Sequence, residues 1–352
     1  MGGLDLILFR FTAPLHIGNV RADYDRTEQT LRSDALYSAI IQAWSILGIE
    51  HPILDCPPDI SAVPDLGFAC SSLFPYFRAE KASNPILFFP KPMGALQPKN
   101  YKEQKKMKKI RFVDAHSFAH LLQNPDLPSA EDQINDKYYI DKAQNAIFNP
   151  DFMQRQIVPR SYVPRYGETD QQGKEVVETT IFYMERLYFS QYSGLFCLMQ
   201  FDDDAIKNKV LAALQYLQDA GIGSDRNVGN GIFELSCQEF TAFDQLPDME
   251  QEYATNLSLF CPESNEQLQT MLNGKQCAYN LIKRGGWITE DDYLSYRKNS
   301  VYMFGEGSIF STDATTKGKT VNIRPKLDGV PLPPHPIFRV GRSLFLPIKP
   351  TQ

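Results

Sequence analysis

The chain is poor in the residues that most active sites are built from. Its 352 residues include 5 histidines and 6 cysteines. The cysteines, at positions 56, 70, 197, 237, 261 and 277, form no C-x-x-C pair and no dense framework. That spacing excludes a disulfide-stapled secreted domain and predicts reduced, mostly buried thiols. Two histidines lie one helical turn apart in His116-Ser117-Phe118-Ala119-His120, but Ser117 stands where a zinc protease requires glutamate. No G-x-S-x-G elbow and no nucleophilic cysteine signature is present. Gly318-Lys319-Thr320 does not close a nucleotide-binding loop, because Asp313 occupies the place of its first glycine and no helical pattern follows. None of these patterns supplies a catalytic group, and no cofactor or metal is implied.

Positive charge is not in excess either. Lys and Arg number 36 against 42 Asp and Glu, a formal net charge of -6. Free-standing nucleic-acid binders are usually basic, so RNA binding here requires local basic patches on an acidic body. No apolar run is long enough to cross a bilayer, and Met1 to Phe11 lacks a basic flank and a cleavage site. The expectation is a cytoplasmic protein with no membrane partner. With 43% hydrophobic and 22% charged residues, the chain has material for a substantial core and the length for two domains.

What is abundant is local: Gly221-Ile222-Gly223-Ser224-Asp225-Arg226-Asn227-Val228-Gly229-Asn230-Gly231. Upstream, Ile206, Val210, Leu211, Leu214 and Leu217 recur at helical spacing after Asp202-Asp203-Asp204; downstream runs the apolar Ile232-Phe233-Glu234-Leu235. The order is helix, glycine loop, strand, the reverse of a dinucleotide fold, so the loop meets the negative end of its helix. An anion held there must be drawn by free N–H groups and Arg226. A glycine turn needed only for tight packing is the alternative.

This helix, G-x-G-x-D-R-x-x-G-x-G loop and strand resemble the C-terminal signature of the RAMP superfamily, the RNA-binding subunits of CRISPR effector complexes. Pro14-Leu15-His16-Ile17-Gly18 and Thr30-Leu31-Arg32-Ser33-Asp34-Ala35-Leu36-Tyr37-Ser38-Ala39-Ile40 are similar to the subfamily of the fourth Csm subunit, the Cas5-like protein of type III-A complexes. Ser71 to Tyr76, Leu87 to Pro92, Lys108 to Phe112, Arg297 to Ser308 and Val340-Gly341-Arg342 extend the likeness over most of the chain.

The resemblance implies an α+β fold of two ferredoxin-like (RRM-like, RAMP) domains, residues 1–244 and a degenerate 245–352. Leu4 to Phe11 is the expected first strand. A helix beginning at Leu31-Arg32-Ser33-Asp34 follows, with Leu36, Ile40, Ala43, Trp44 and Leu47 on one face and Gly48 at its end. Two β-rich arms around Gly167 to Gly173 predict a protruding hairpin over 158–184, which in relatives works as a thumb. There Arg160, Arg165, Tyr162 and Tyr166 set cations beside aromatic faces, suited to phosphates and unstacked bases; surface aromatics that only shield a long hairpin are the alternative. Lys99 to Arg111 is strongly basic and reads either as a solvated face or as a phosphate-neutralising patch.

The implied function is a non-catalytic subunit of a type III-A complex in antiviral defence. It would hold the 5′ handle of the CRISPR RNA and bridge the large polymerase-cyclase-like subunit to the backbone RAMP subunit, meeting target RNA only indirectly. The Gly-Gly-Asp-Asp and His-Asp motifs of that large subunit are absent from this chain. The residues expected at RNA are His16, Gly18, Arg21, Ser33, Ser38, Arg160, Arg165, Gly221, Gly223, Arg226, Asn227, Gly229, Gly231 and Lys283. The competing expectation is a metal-independent endoribonuclease of the Cas6 type, with His16 as general acid or base on repeat RNA.

Overall fold

The computed structural model describes residues 3–18, 24–94, 101–124, 133–162, 168–169, 175–176, 180–243, 252–293, 296–312, 316–327 and 329–349. Arg21, Lys99, Arg165 and Tyr166, all singled out from the sequence, lie outside the described residues.

Strand β1 (Leu4–Phe11) buries Leu6, Ile7, Leu8 and Phe9 in succession, which is why its apolar alternation is imperfect: both faces are covered. It leads to helix α1 (Ser33–Leu47), whose Leu36, Ile40, Ala43 and Trp44 are buried and which ends at Gly48 with φ 67°. Leu47, expected on the same face, is exposed. Strands β2 (Phe68–Cys70), β3 (Phe74–Phe77) and β4 (Ile86–Pro90) follow. Next come α2 (Tyr101–Lys109), β5 (Phe112–Asp114), α3 (Ala115–Gln123), β6 (Ile134–Asn135), β7 (Tyr138–Tyr139) and α4 (Lys142–Asn145).

Two ten-residue strands, β8 (Met153–Tyr162) and β11 (Thr180–Phe189), pair antiparallel from Met153↔Phe189 to Tyr162↔Thr180. Between them sits the small pair β9 (Glu168–Thr169) and β10 (Glu175–Val176). Strand β12 (Gly194–Phe201), helix α5 (Asp204–Ala220) and strand β13 (Phe233–Phe240) complete this half.

The main sheet runs β13-β1-β12-β3-β4-β5-β7-β6, with β2 also on β12; only β5 and β7 are parallel. Its first four strands, with α1 and α5 packed together, give the order β-α-β-β-α-β along the chain. Asp203 caps α5 by accepting from Ile206 N–H at 2.8 Å. The basic stretch from Lys99 resolves in part as α2, anchored by buried Met107 with Lys105, Lys106, Lys108 and Lys109 outward.

Downstream, β14 (Tyr253–Asn256) is followed by α6 (Asn265–Leu272), β15 (Leu281–Arg284), β16 (Val301–Phe304), β17 (Ile309–Ser311), β18 (Thr320–Asn322), β19 (Phe338–Val340) and β20 (Phe345–Pro347). These form three small sheets: β17-β14-β20, β15-β16 and β18-β19. Leu257, Val340, Leu344, Leu346 and Ile348 nevertheless belong to the same buried cluster as β1 and α1.

Polar groups fix the seam between the two halves. Leu259 N–H donates to Ser33 Oγ at 2.9 Å, Ser72 N–H to Leu257 O at 2.9 Å, and Ser258 Oγ to Cys70 O at 2.7 Å. The first N–H of α1, Ser33, is satisfied by Ser72 Oγ at 2.9 Å rather than by a local cap.

Candidate nucleic-acid interface

Three segments far apart in sequence meet at one place. The Pro14-Leu15-His16 backbone is paired on one side with β11, through Leu15 and Leu187 at 2.9 and 2.8 Å. On the other side it receives the glycine loop: Gly231 N–H donates to Pro14 O at 2.7 Å and Ser224 N–H to His16 O at 2.8 Å. His16 is buried, and its Nδ1 lies 2.7 Å from Glu185 O. A carbonyl only accepts, so Nδ1 carries the proton and the ring is held as a strut between the turn and the hairpin base.

The glycines of the loop serve the chain's own backbone. Gly221, Gly223 and Gly231 have φ of 76°, 87° and 77°. A Cβ at Gly221 would stand 2.6 Å from Asn230 O, one at Gly223 2.5 Å from His16 O, and one at Gly231 would collide with Ile222 O. Only at Gly229 among the four is the space beside the backbone open. The space beside these glycines is thus taken by Leu15, His16 and Asn230, which is the tight packing that the sequence offered as the alternative to an anion held by the loop. What faces outward is a lip: Gly223, Ser224, Arg226, Asn227 and Val228 are exposed. Arg226 and Asn227 also border a cavity of about 230 Å³ with Gln42, Ala43 and Ile46 of α1 and Tyr216 of α5.

Asp225, which the sequence reading passed over, ties this lip to the hairpin. It adopts φ 60° without being glycine, a conformation that aspartate tolerates better than most residues. Its Oδ2 accepts from Asn230 Nδ2 at 2.9 Å, Arg160 Nη1 at 3.3 Å and Arg186 Nη2 at 3.4 Å. Arg160 therefore stands at the junction as expected by position, but ion-paired within the chain. Nearby, Glu185 accepts from Thr27 N–H at 2.7 Å and Arg155 Nη1 at 3.4 Å. Ile157, Ile181 and Tyr183, on the hairpin face of Glu185 and opposite to that of Arg160 and Arg186, are exposed. The signal for Asp225 was in the sequence, as the acid inside the G-x-G-x-D-R motif; Arg186 carries no such mark, since only strand register brings it there.

Other expected contacts are elsewhere. Ser33 is fully buried and its hydroxyl is engaged by Leu259, so it has no surface to offer a ligand. Ser38 Oγ donates to Asp34 O at 2.8 Å, back along its own helix. Gly18 lies over the His16 ring, a Cβ there standing 3.4 Å from Nε2. Lys283 is exposed on β15, opposite Tyr302.

Residues 249–348 match the CRISPR Csm4 C-terminal domain family. The CRISPR system Cms protein Csm4 of Streptococcus thermophilus is 29% identical over 164 residues, 46% of this chain and 50% of that protein. That of Thermococcus onnurineus (strain NA1) is 23% identical over 299 residues, 80% and 82% of the two chains. The matched stretch thus spans half of the first relative and most of the second. Among solved structures, a chain of the Csm3-Csm4 subcomplex in the type III-A CRISPR-Cas interference complex superposes with a TM-score of 0.63 at 17% identity, covering 99% of this chain and 100% of that one. A chain of the Csm1-Csm4 cassette in complex with pppApA gives 0.56 at 17% identity, covering 99% of each. Fold, C-terminal domain and relatives agree: residues 249–348 match the Csm4 C-terminal domain family, and the chain as a whole is similar in sequence and fold to Csm4 proteins.

Proposed function

We propose that the protein is the CRISPR-RNA-binding structural subunit of a type III-A effector complex, holding the 5′ handle of the guide. It bridges two proteins corresponding to the Csm1 and Csm3 chains of the related complexes, as the large and backbone subunits respectively. The observation that carries this reading is the convergence of the Pro14-Leu15-His16 turn, the glycine loop and the hairpin base into one junction whose outward lip carries Arg226 and Asn227. The loop's own N–H groups are largely spent within the chain, so the exposed Arg226 guanidinium and Asn227 amide are what would grip phosphate and splayed bases.

The β-α-β-β-α-β order of the first half supports a ferredoxin-like RAMP domain over 1–244, with β8 and β11 as its thumb and a degenerate second domain over 245–352. A guide strand following the lip would pass Arg226 and reach the hairpin, whose register ends near Tyr162.

The reading is non-catalytic. An endoribonuclease using His16 is not favoured, because general acid–base work needs an imidazole within reach of substrate and this one is sealed against Glu185 O. The test is affinity purification of the tagged chain from its host with sequencing of the small RNA that accompanies it. Repeat-derived 5′ ends are the expected result, weakened by Arg226→Ala; absence of RNA defeats the proposal. Incubation with labelled repeat RNA should yield no product, and a product abolished by His16→Ala would restore the nuclease.

A further inference from the structure

Three cationic side chains converge on the Gly285-Gly286 turn, where it folds over the start of α1. Arg284 precedes the turn, Arg339 Nη2 donates to Gly285 O at 2.9 Å, and the Lys298 backbone N–H donates to Gly286 O at 2.9 Å, with the Lys298 ammonium near enough to Arg339 to feel its charge. The carboxylate at their centre is Asp34, fully buried. It takes Arg284 Nε at 2.8 Å and Nη2 at 3.0 Å, and Arg339 Nη1 at 3.2 Å. The two arginines take its hydrogen bonds, and Lys298 feels its charge only at longer range. The second acid facing it, Glu290, is engaged by His335 at 2.5 Å.

Lys298 has no side-chain hydrogen bond or ion pair among the described residues, and Arg339 Nε is buried without a partner. Burial, then the neighbouring Arg339, push the Lys298 ammonium down to about 8. Cations gathered against so little negative charge are costly to maintain without an anion to complete them. Gly286, at φ 115°, has open space beside it. Next to the turn, the Arg297 guanidinium lies 4.8 Å from the Trp287 ring, and Tyr302 is exposed opposite Lys283. Cations with aromatic faces alongside are what an unstacked strand requires, and what an acidic peptide does not.

We infer that Arg284, Lys298 and Arg339 form a phosphate site for the backbone of a single-stranded RNA, with Asp34 orienting the two arginines. This rests on the RNA-binding reading and extends it into the C-terminal half.

The test uses the full chain purified from its host with its RNA. Amine acetylation at Lys298, followed by mass spectrometry, should be several-fold slower before ribonuclease treatment than after it. Lys298→Ala should lower RNA retention about five- to tenfold near physiological salt and flatten the salt dependence by about one unit of slope, while Lys298→Arg retains both. The variant is expected to fold, because it removes a half-buried charge that makes no side-chain hydrogen bond or ion pair among the described residues. Equal acetylation rates, with unchanged retention in Lys298→Ala, overturn the inference while leaving the functional reading intact. Wild-type chain that carries no RNA overturns both. Loss of a protein partner with RNA retained would assign the site to an acidic protein and overturn it as well.

Discussion

Asp34 and Asp225 do the same thing in different surroundings: each is one carboxylate shared by two arginines from distant strands. Asp34 has no exposed surface and meets Arg284 and Arg339 at 2.8 to 3.2 Å. Asp225 keeps 19% of its side chain exposed and meets Arg160 and Arg186 at 3.3 and 3.4 Å. Burial of its carboxylate makes the first pair a lock, since breaking it leaves two largely buried guanidinium groups without their shared counter-charge. The second keeps some solvent on its carboxylate and its arginine contacts are longer, which makes it the looser clasp of the two. The seam between the halves is thus fixed by the chemistry that holds the hairpin more loosely.

The largest break in that comparison should come from Asp34→Ala, which leaves Arg284 and Arg339 buried without a counter-charge. A loss of about 3–5 kcal/mol in urea unfolding is expected. A loss below about 1 kcal/mol would remove the distinction between lock and clasp. Within the clasp, Gly231→Ala should cost about 2–4 kcal/mol, combining a disfavoured φ with overlap on Ile222 O. Gly229→Ala, in open space, should cost about 1 kcal/mol. Equal costs at the two glycines would mean that the loop is not sealed by its own backbone.

The third test concerns pH. Lys298 sits at about 8 in the folded protein, below its ordinary value of 10.5, so between these values the unfolded chain binds more protons and stability rises with pH. Below about 8 the charged group is a constant penalty. Lys137 acts in the same sense, whereas Tyr37, Cys70 and Cys197, raised by burial, act oppositely. The measurement is therefore the difference between wild type and Lys298→Met: the variant should be more stable near pH 7, with the gap closing as pH approaches 10. A gap that does not change would show that Lys298 is solvated. Smallest of all should be Asp225→Asn, under about 1 kcal/mol in stability. It should speed amide exchange in β8 and β11 several-fold; unchanged exchange would mean that the clasp does not hold the hairpin.

Local order was legible in the residues. The Gly48 stop of α1, the acidic cap of α5, the loop and the strand after it follow from capping and periodicity and stand where those rules put them, whereas the start of α1 has no side-chain cap and is satisfied from Ser72 instead. The base of the hairpin was underestimated, because β8 begins at Met153 and β11 ends at Phe189, where apolar packing rather than turn chemistry sets the limit. Leu47 was misassigned because helical spacing alone does not say where the covering surface ends.

At the candidate site, the exposed Arg226 and Asn227 could be read from the motif. The serines could not be read correctly: nothing near Ser33 in sequence announces Leu259, 226 residues away, as its partner. Asp34 likewise looks like an ordinary first-turn acid. Its arginines come from strands whose register is a property of the finished fold.

That separation also has a bearing on biosynthesis. Asp34 emerges 250 residues before Arg284, an interval of roughly 10–50 s at ordinary translation rates of ~5–20 residues per second. During that interval the nascent chain carries a carboxylate destined for a dry interior with neither guanidinium yet made. The apolar places later filled by Leu344, Leu346 and Ile348 also stand open. An early half that waits so long for its closing pieces depends on the ribosome-bound environment to keep it from aggregating.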